Sequence, residues 1–89
     1  MTGSTDTRIS VNVRLNSQMA DILGTNRIIV TVDQSSTVSD VKEEIKKNHP
    51  GIEIQLEGSL PVISGTMVNT DKVVEKGQEI AFLSPAAGG

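Results

Sequence analysis

The chain has 89 residues, no cysteine, a single aromatic residue and a net charge of −3, values typical of one small domain. The absence of cysteine excludes a disulfide framework, a thiolate metal site and a cysteine nucleophile. The acidic balance and the lack of stacking rings argue against nucleic-acid binding. No apolar run approaches the ~20 residues that span a bilayer, and residues 1–7 lack a signal peptide's apolar core. We therefore expect a cytoplasmic protein without a membrane partner.

Two strands are predicted after a flexible lead-in at residues 1–7. Residues 8–16 alternate between polar and apolar side chains, which indicates a strand with one wet face. The apolar set is Ile9, Val11, Val13 and Leu15. Residues 17–23 predict a short helical turn that Gly24 stops. Residues 27–32 are rich in β-branched side chains and predict a second strand.

One long helix is predicted after residue 37. Thr37 is a suitable N-cap, and the carboxylate of Asp40 favours the positive end of the helix dipole. A narrow apolar stripe follows at helical spacing. Its members are Val38, Val41 and Ile45. Glu43 and Lys47 are spaced for an i, i+4 ion pair on the polar face, and Pro50-Gly51 lies just beyond the predicted helix end.

The C-terminal half predicts short strands at residues 60–64, 66–69 and 79–83, after an unassigned mixed segment at residues 52–56. Val73 and Val74 are expected to pack inward. In the last strand Ile80 and Phe82 face opposite to Ala81 and Leu83. Because both faces of that strand are apolar, we expect it to lie centrally in the sheet. The order of elements predicts an α+β domain at residues 8–83, in which a mixed sheet of four or five strands packs on one main helix.

The last six residues predict an extended tail, residues 84–89. They are Ser84, Pro85, Ala86, Ala87, Gly88 and Gly89. Proline fixes an extended backbone, and Gly-Gly can enter a slot too narrow for any side chain. A free carboxylate on Gly89 would then be presented to other proteins. The alternative is that a small, glycine-rich end of this kind is merely frayed.

Residues 77–89 read G-Q-E-I-A-F-L-S-P-A-A-G-G and resemble the ending G-D-E-V-A-F-F-P-P-V-S-G-G of the ubiquitin-like β-grasp sulfur carriers of the MoaD/ThiS type. The resemblance covers residues 8–89 and is looser in the N-terminal half. It implies a ubiquitin-like β-grasp fold with a flexible Gly-Gly tail. The chain departs from the family pattern at Gln78, Leu83 and Ser84, and has Ser64 where the family often has asparagine.

The resemblance implies that a ubiquitin-activating-type enzyme adenylates the Gly89 carboxylate. ATP and magnesium would belong to that enzyme, and the chain itself would bind no cofactor or metal. Sulfur transfer would give a Gly89 thiocarboxylate for molybdopterin synthesis or tRNA thiolation, with a molybdopterin synthase large subunit as one partner. Attack by a lysine amine would instead make the chain a protein modifier, like the small archaeal modifier proteins, joined to lysine-bearing targets by an isopeptide bond. A non-covalent binding module is the third hypothesis.

The remaining predictions concern the chain's own side chains. No paired carboxylates, nucleophile-histidine set, phosphate-binding loop or metal-ligand cluster is present in the sequence, so we expect a substrate of enzymes and not an enzyme. Met67 and Phe82 are predicted members of an apolar docking patch, which Leu83 and Val68 could join, with core packing as the alternative for Val68. The resemblance also implies that a groove of the partner protein binds the segment made of Leu83, Ser84, Pro85, Ala86 and Ala87.

Overall fold

The computed structural model describes residues 7–85, so residues 1–6 and 86–89 lie outside the described part of the chain. Five strands are present: β1 Arg8–Leu15, β2 Arg27–Asp33, β3 Leu60–Ile63, β4 Thr66–Met67 and β5 Glu79–Leu83. The helices are α1 Ser17–Leu23, α2 Val38–Asn48 and α3 Glu53–Glu57, with a 3₁₀ turn at Pro50–Ile52 just before α3. Each predicted strand and helix is confirmed within a few residues.

The five strands form one mixed sheet in the order β2-β1-β5-β3-β4. The first and last strands, β1 and β5, run parallel at its centre, and the other neighbouring pairs are antiparallel. Parallel neighbours need a crossover connection, and α2 lies on that connection between them. The prediction of a central last strand and of an α+β domain built on one main helix is confirmed.

The core lies on one face of this sheet. Exposed and buried residues alternate strictly along β1, as its sequence predicts. This alternation is expected for a sheet with one face in the core and the other in solvent. Phe82 is the largest of the fully buried side chains. The other fully buried apolar residues include Met19 from α1, Ile45 from α2, Leu56 from α3 and Ile80 from β5. All three helices therefore share one core with the sheet.

Helix α2 begins after the predicted N-cap Thr37, and Asp40 completes a capping box that the sequence analysis did not predict. The Asp40 backbone N–H donates to Thr37 Oγ1 at 3.3 Å, and the Thr37 backbone N–H donates to Asp40 Oδ2 at 2.9 Å. Each bond satisfies a backbone donor that the first turn leaves open. A cap of this kind contributes about 1 kcal/mol.

The polar face of α2 pairs differently from its prediction. Lys46 Nζ, and not Lys47, donates to Glu43 Oε2 at 3.1 Å, and Lys46 also donates to Glu57 of α3. These bonds, that to Glu57 first, raise the pKa of Lys46 above its ordinary value, and the bond from Lys46 lowers the pKa of Glu57. Lys42 adds a second contact to Glu57 at 3.8 Å. The sequence did not predict α3, and therefore it did not predict that Lys42 and Lys46 of α2 contact Glu57.

The structure assigns one segment that the sequence left open and corrects one further expectation. The unassigned segment at residues 52–56 is helical, with Ile52 and Leu56 fully buried four residues apart. Val73 is 48% exposed, whereas Val74 is buried as expected. Successive side chains of an extended segment point to opposite sides. Only one of the two valines can therefore enter the core.

A tight turn joins β3 to β4, and its backbone conformation is strained for a residue with a side chain. Its two residues, Ser64 and Gly65, have φ angles of 53° and 78°, and they lie between the paired Ile63 and Thr66. Two positive φ angles in a two-residue hairpin define a type I′ turn, which favours Asn-Gly. We expect Ser64→Asn to raise the free energy of unfolding by up to ~1 kcal/mol, because asparagine tolerates this region better than serine.

Chemical unfolding followed by far-ultraviolet circular dichroism measures that change. Gly65→Ala is the opposing variant. We expect it to lower the free energy of unfolding, because alanine is disfavoured at the positive φ angle of this position. Equal stabilities for Ser64→Asn and the parent chain would contradict a strained turn.

Candidate functional site

The predicted tail leaves the sheet at the end of β5. Leu15 of β1 pairs with Phe82 of the parallel β5, so the last strand ends beside the end of β1, where α1 begins. Leu83, Ser84 and Pro85 are exposed there. The other predicted tail residues, Ala86, Ala87, Gly88 and Gly89, lie outside the described residues. The structure thus defines the root of the tail.

A cleft lies at this root, and the sequence did not predict it. Ser84 and Pro85 form one side, and the other side is formed by Asn16, Gln18, Ile54, Gln55 and Gly58. Ile54 is 83% exposed, and among residues 7–85 no donor reaches the buried Oε1 of Gln55. The only sequence signal for Ile54 is its place midway between Ile52 and Leu56, which puts it on the outer side of a short helix.

The face of the sheet away from the helices, here called the open face, carries a group of apolar side chains next to the tail root. Leu60 of β3 lies opposite Leu83, and Val62 lies between Ala81 and Met67. We call these five residues the apolar cluster. Met67 is 63% exposed, Leu83 43% and Leu60 38%, and the other two are half-buried. Because these apolar side chains are contiguous and partly exposed, the cluster is a candidate docking surface.

The prediction that Phe82 belongs to a docking patch is wrong. Phe82 is fully buried, because its side chain lies on the core face of β5 together with Ile80. Leu83, the next residue, occupies the open face instead. Met67 lies in the apolar cluster, although its predicted role in docking remains a prediction. Leu60 and Val62 complete the cluster and were missed, because the sequence does not reveal which strand lies beside β5.

The described residues contain little else from which a reactive site could be built. Between residues 7 and 85, no three histidine, aspartate or glutamate side chains are grouped closely enough to hold a metal ion. No helix in the same range is long and apolar enough to cross a membrane. His49 ends α2, where its backbone N–H donates to Ile45 O at 2.7 Å. The candidate site is therefore a surface and a tail root.

The sequence profile of the ThiS family matches residues 13–89. The match includes the apolar cluster, the tail root and Gly88-Gly89. The chain belongs to the ThiS family. No curated protein sequence gives a significant match to it.

Solved structures of related fold agree with this membership. SAMP1 from Haloferax volcanii superposes with a TM-score of 0.79 at 23% identity, covering 90% of this chain and 99% of that one. A provisionally assigned subunit 1 of molybdopterin converting factor from Pyrococcus furiosus gives 0.76 at 19% identity, covering 86% and 98%. A ubiquitin-like protein from Trypanosoma brucei gives 0.64 at 20%, covering 92% and 100%.

The resemblance inferred from the tail pattern is thereby confirmed, as is the ubiquitin-like β-grasp fold. Similarity at these identities concerns the fold, and the family match adds the ThiS character of the chain. Together they support a sulfur carrier or a ubiquitin-like modifier as the role of this ThiS-family protein. Small carrier proteins of this type are generally not enzymes themselves.

Proposed function

We propose that this protein is a MoaD-like sulfur carrier that is activated at the carboxylate of Gly89. The observation that carries the proposal is that the ThiS-family match extends through residue 89 and so includes the whole tail pattern. The exposed Leu83, Ser84 and Pro85 support it, because they provide an accessible root for a tail that enters a partner. The cytoplasm is the compartment we propose for the reaction.

The chemistry begins with a poor electrophile. A carboxylate resists substitution because its leaving group would be oxide, so an activating enzyme must first supply a better one. A Gly89 carboxylate oxygen attacks the α-phosphorus of ATP, pyrophosphate leaves, and an acyl-adenylate forms. The enzyme's magnesium ion neutralises the phosphate charge. The narrow Gly88-Gly89 backbone lets the carboxylate reach a closed site.

Sulfur enters in the second step. The terminal sulfur of a partner's persulfide attacks the Gly89 carbonyl carbon, and AMP leaves with the bonding electron pair. A second thiol of the partner then attacks the inner sulfur of the former persulfide, so the sulfur–sulfur bond breaks, the thiocarboxylate leaves with the electron pair, and the partner's two sulfurs form a disulfide. One sulfur atom stays on Gly89 as a thiocarboxylate, which can serve molybdopterin synthesis, with the large subunit of that synthase as partner, or tRNA thiolation.

The second candidate function is protein modification. The fold similarity to SAMP1, a small archaeal modifier protein, favours it. A lysine amine of a target protein would attack the activated Gly89 carbonyl, with AMP or a thiol as leaving group, and form an isopeptide bond. Both functions use the same activated tail. A binding module that acts without tail chemistry is the remaining alternative.

Intact-mass spectrometry tests the proposal after incubation with a native cell extract, ATP and a sulfur source. We expect a free species in which one oxygen of the protein is replaced by sulfur, and none when ATP is omitted. Conjugates that link Gly89 to lysines would favour the modifier.

A chain lacking Gly88-Gly89 is the matched control, because it retains every described residue. It should yield neither product, since the Gly89 carboxylate is gone. If the full chain also yields neither product in an extract that charges a known carrier, tail activation is excluded and the binding module is supported.

A further inference from the structure

Two arginines lie side by side on the open face without a carboxylate between them. Arg14 of β1 is directly opposite Arg27 of β2 in the antiparallel ladder, and both are exposed. Among residues 7–85, neither side chain takes part in an ion pair or hydrogen bond. Like charges directly opposite each other on a sheet are destabilising.

This arrangement contrasts with the other described cations that form ion pairs. On the same ladder Arg8 is opposite Asp33 and contacts its Oδ1 at 3.8 Å. Lys42 and Lys46 contact Glu57 of α3. The chain has 11 acidic and 8 basic residues, so acidic side chains are not scarce. Lys47, Lys72 and Lys76 also have no ion pair among the described residues, so what distinguishes Arg14 and Arg27 is that two like charges lie directly opposite each other on the ladder.

Glu79 is the nearest acidic position in the register of the sheet. It pairs with Asn12 on β1, two residues before Arg14, so it lies diagonally from Arg14. No ion pair within 4.0 Å joins Glu79 to either arginine among the described residues. Glu79 lines one cleft with Arg14 and another with Arg27, so it lies near both guanidinium groups but forms no direct ion pair with either.

The arginine pair is continuous with the apolar cluster. Arg14 lies beside Ala81 of β5, Ala81 beside Val62, and Val62 beside Met67. A single row across the sheet therefore runs from exposed apolar side chains at one edge to two positive charges at the other. A protein that covers the cluster also reaches the arginines.

We propose that Arg14 and Arg27 together bind a carboxylate on the protein that docks on the open face, the activating enzyme being that partner. The inference rests on the proposed function and adds to it the chemistry by which the partner is recognised. Guanidinium groups form strong paired hydrogen bonds with carboxylates. An acidic side chain placed between them would remove the repulsion, and exclusion of water by the neighbouring apolar contact would strengthen the attraction.

The test measures ATP–pyrophosphate exchange by the purified activating enzyme of the same organism as the carrier concentration is varied. We expect Arg14→Gln/Arg27→Gln to raise the KM for the carrier about tenfold or more. The kcat at saturating carrier should stay unchanged, and the salt dependence of kcat/KM should become weaker. Lys72→Gln, away from the open face, is the matched control for one lost charge and should stay within about twofold.

A stability measurement separates recognition from structure. Arg27→Glu places opposite charges across the ladder, so we expect a higher Tm for the free protein together with a higher KM. If the double variant keeps the parent KM and salt dependence, or if Arg27→Glu lowers the Tm, the arginine anchor is wrong. If the parent chain supports no exchange at any concentration, the proposed function itself fails and the anchor fails with it.

Discussion

Replacing Phe82 by alanine is expected to lower the free energy of unfolding by about 3–5 kcal/mol. The ring is the chain's single aromatic side chain, and it is fully buried in the one apolar core found among the described residues. Its removal loses the burial of the ring and leaves a cavity in a core that sheet and helix residues share. A domain of this size has a total stability near the lower end of about 5–15 kcal/mol. Much of the fold's stability would therefore be lost.

Urea unfolding followed by far-ultraviolet circular dichroism measures this loss, since the chain has no tryptophan or tyrosine for fluorescence. Leu83→Ala is the matched control, because it truncates the next residue of the same strand on the open face. We expect that change to stay within about 0.5 kcal/mol of the parent. Equal losses for the two variants would contradict the assignment of Phe82 to the core and Leu83 to the surface.

Replacing Leu83 by aspartate is expected to raise the KM for the carrier in the exchange reaction about 30-fold or more. A docked partner would cover the new carboxylate within the apolar cluster, and burying an unpaired charged group costs at least about 2 kcal/mol. The free protein should keep its stability, since Leu83 is 43% exposed. Exchange kinetics and thermal unfolding of the same samples separate these two effects.

Val73→Asp is the matched control for this substitution. Val73 is 48% exposed, and it lies beside Thr37 at the start of α2, away from the apolar cluster. Its KM should remain near that of the parent chain. A similar rise for both variants would indicate a general effect of added negative charge, and an unchanged KM for Leu83→Asp would exclude docking through the cluster.

Part of the candidate site could be predicted from local sequence. The family pattern at residues 77–89 identifies the tail, and Met67 is a candidate contact because a flexible thioether suits an adaptable interface. Leu60 and Val62 could not be added, because their place beside β5 depends on an antiparallel pairing with a strand some 20 residues away. Phe82 was misplaced because an aromatic residue near a tail suits either a core or a docking surface.

The α3 segment shows a second limit of local reasoning. A helix of five residues contains little more than one turn, so its apolar residues cannot establish a helical period. Its position is set by burial of Leu56 in the shared core and by the contacts of Glu57 with Lys42 and Lys46 of α2. The exposed Ile54 at the tail root follows from that packing alone.

By itself the sequence determined the elements whose signals are local: the alternation of β1, the N-cap of α2 and the tail pattern that indicates the ThiS family. Only the tertiary structure decided which apolar face of β5 is buried and that Arg14 meets Arg27. In β5 both faces are apolar, so periodicity cannot distinguish them. The core forms where α2 covers the sheet, and cross-strand neighbours are set by the register between distant segments, which no local pattern contains.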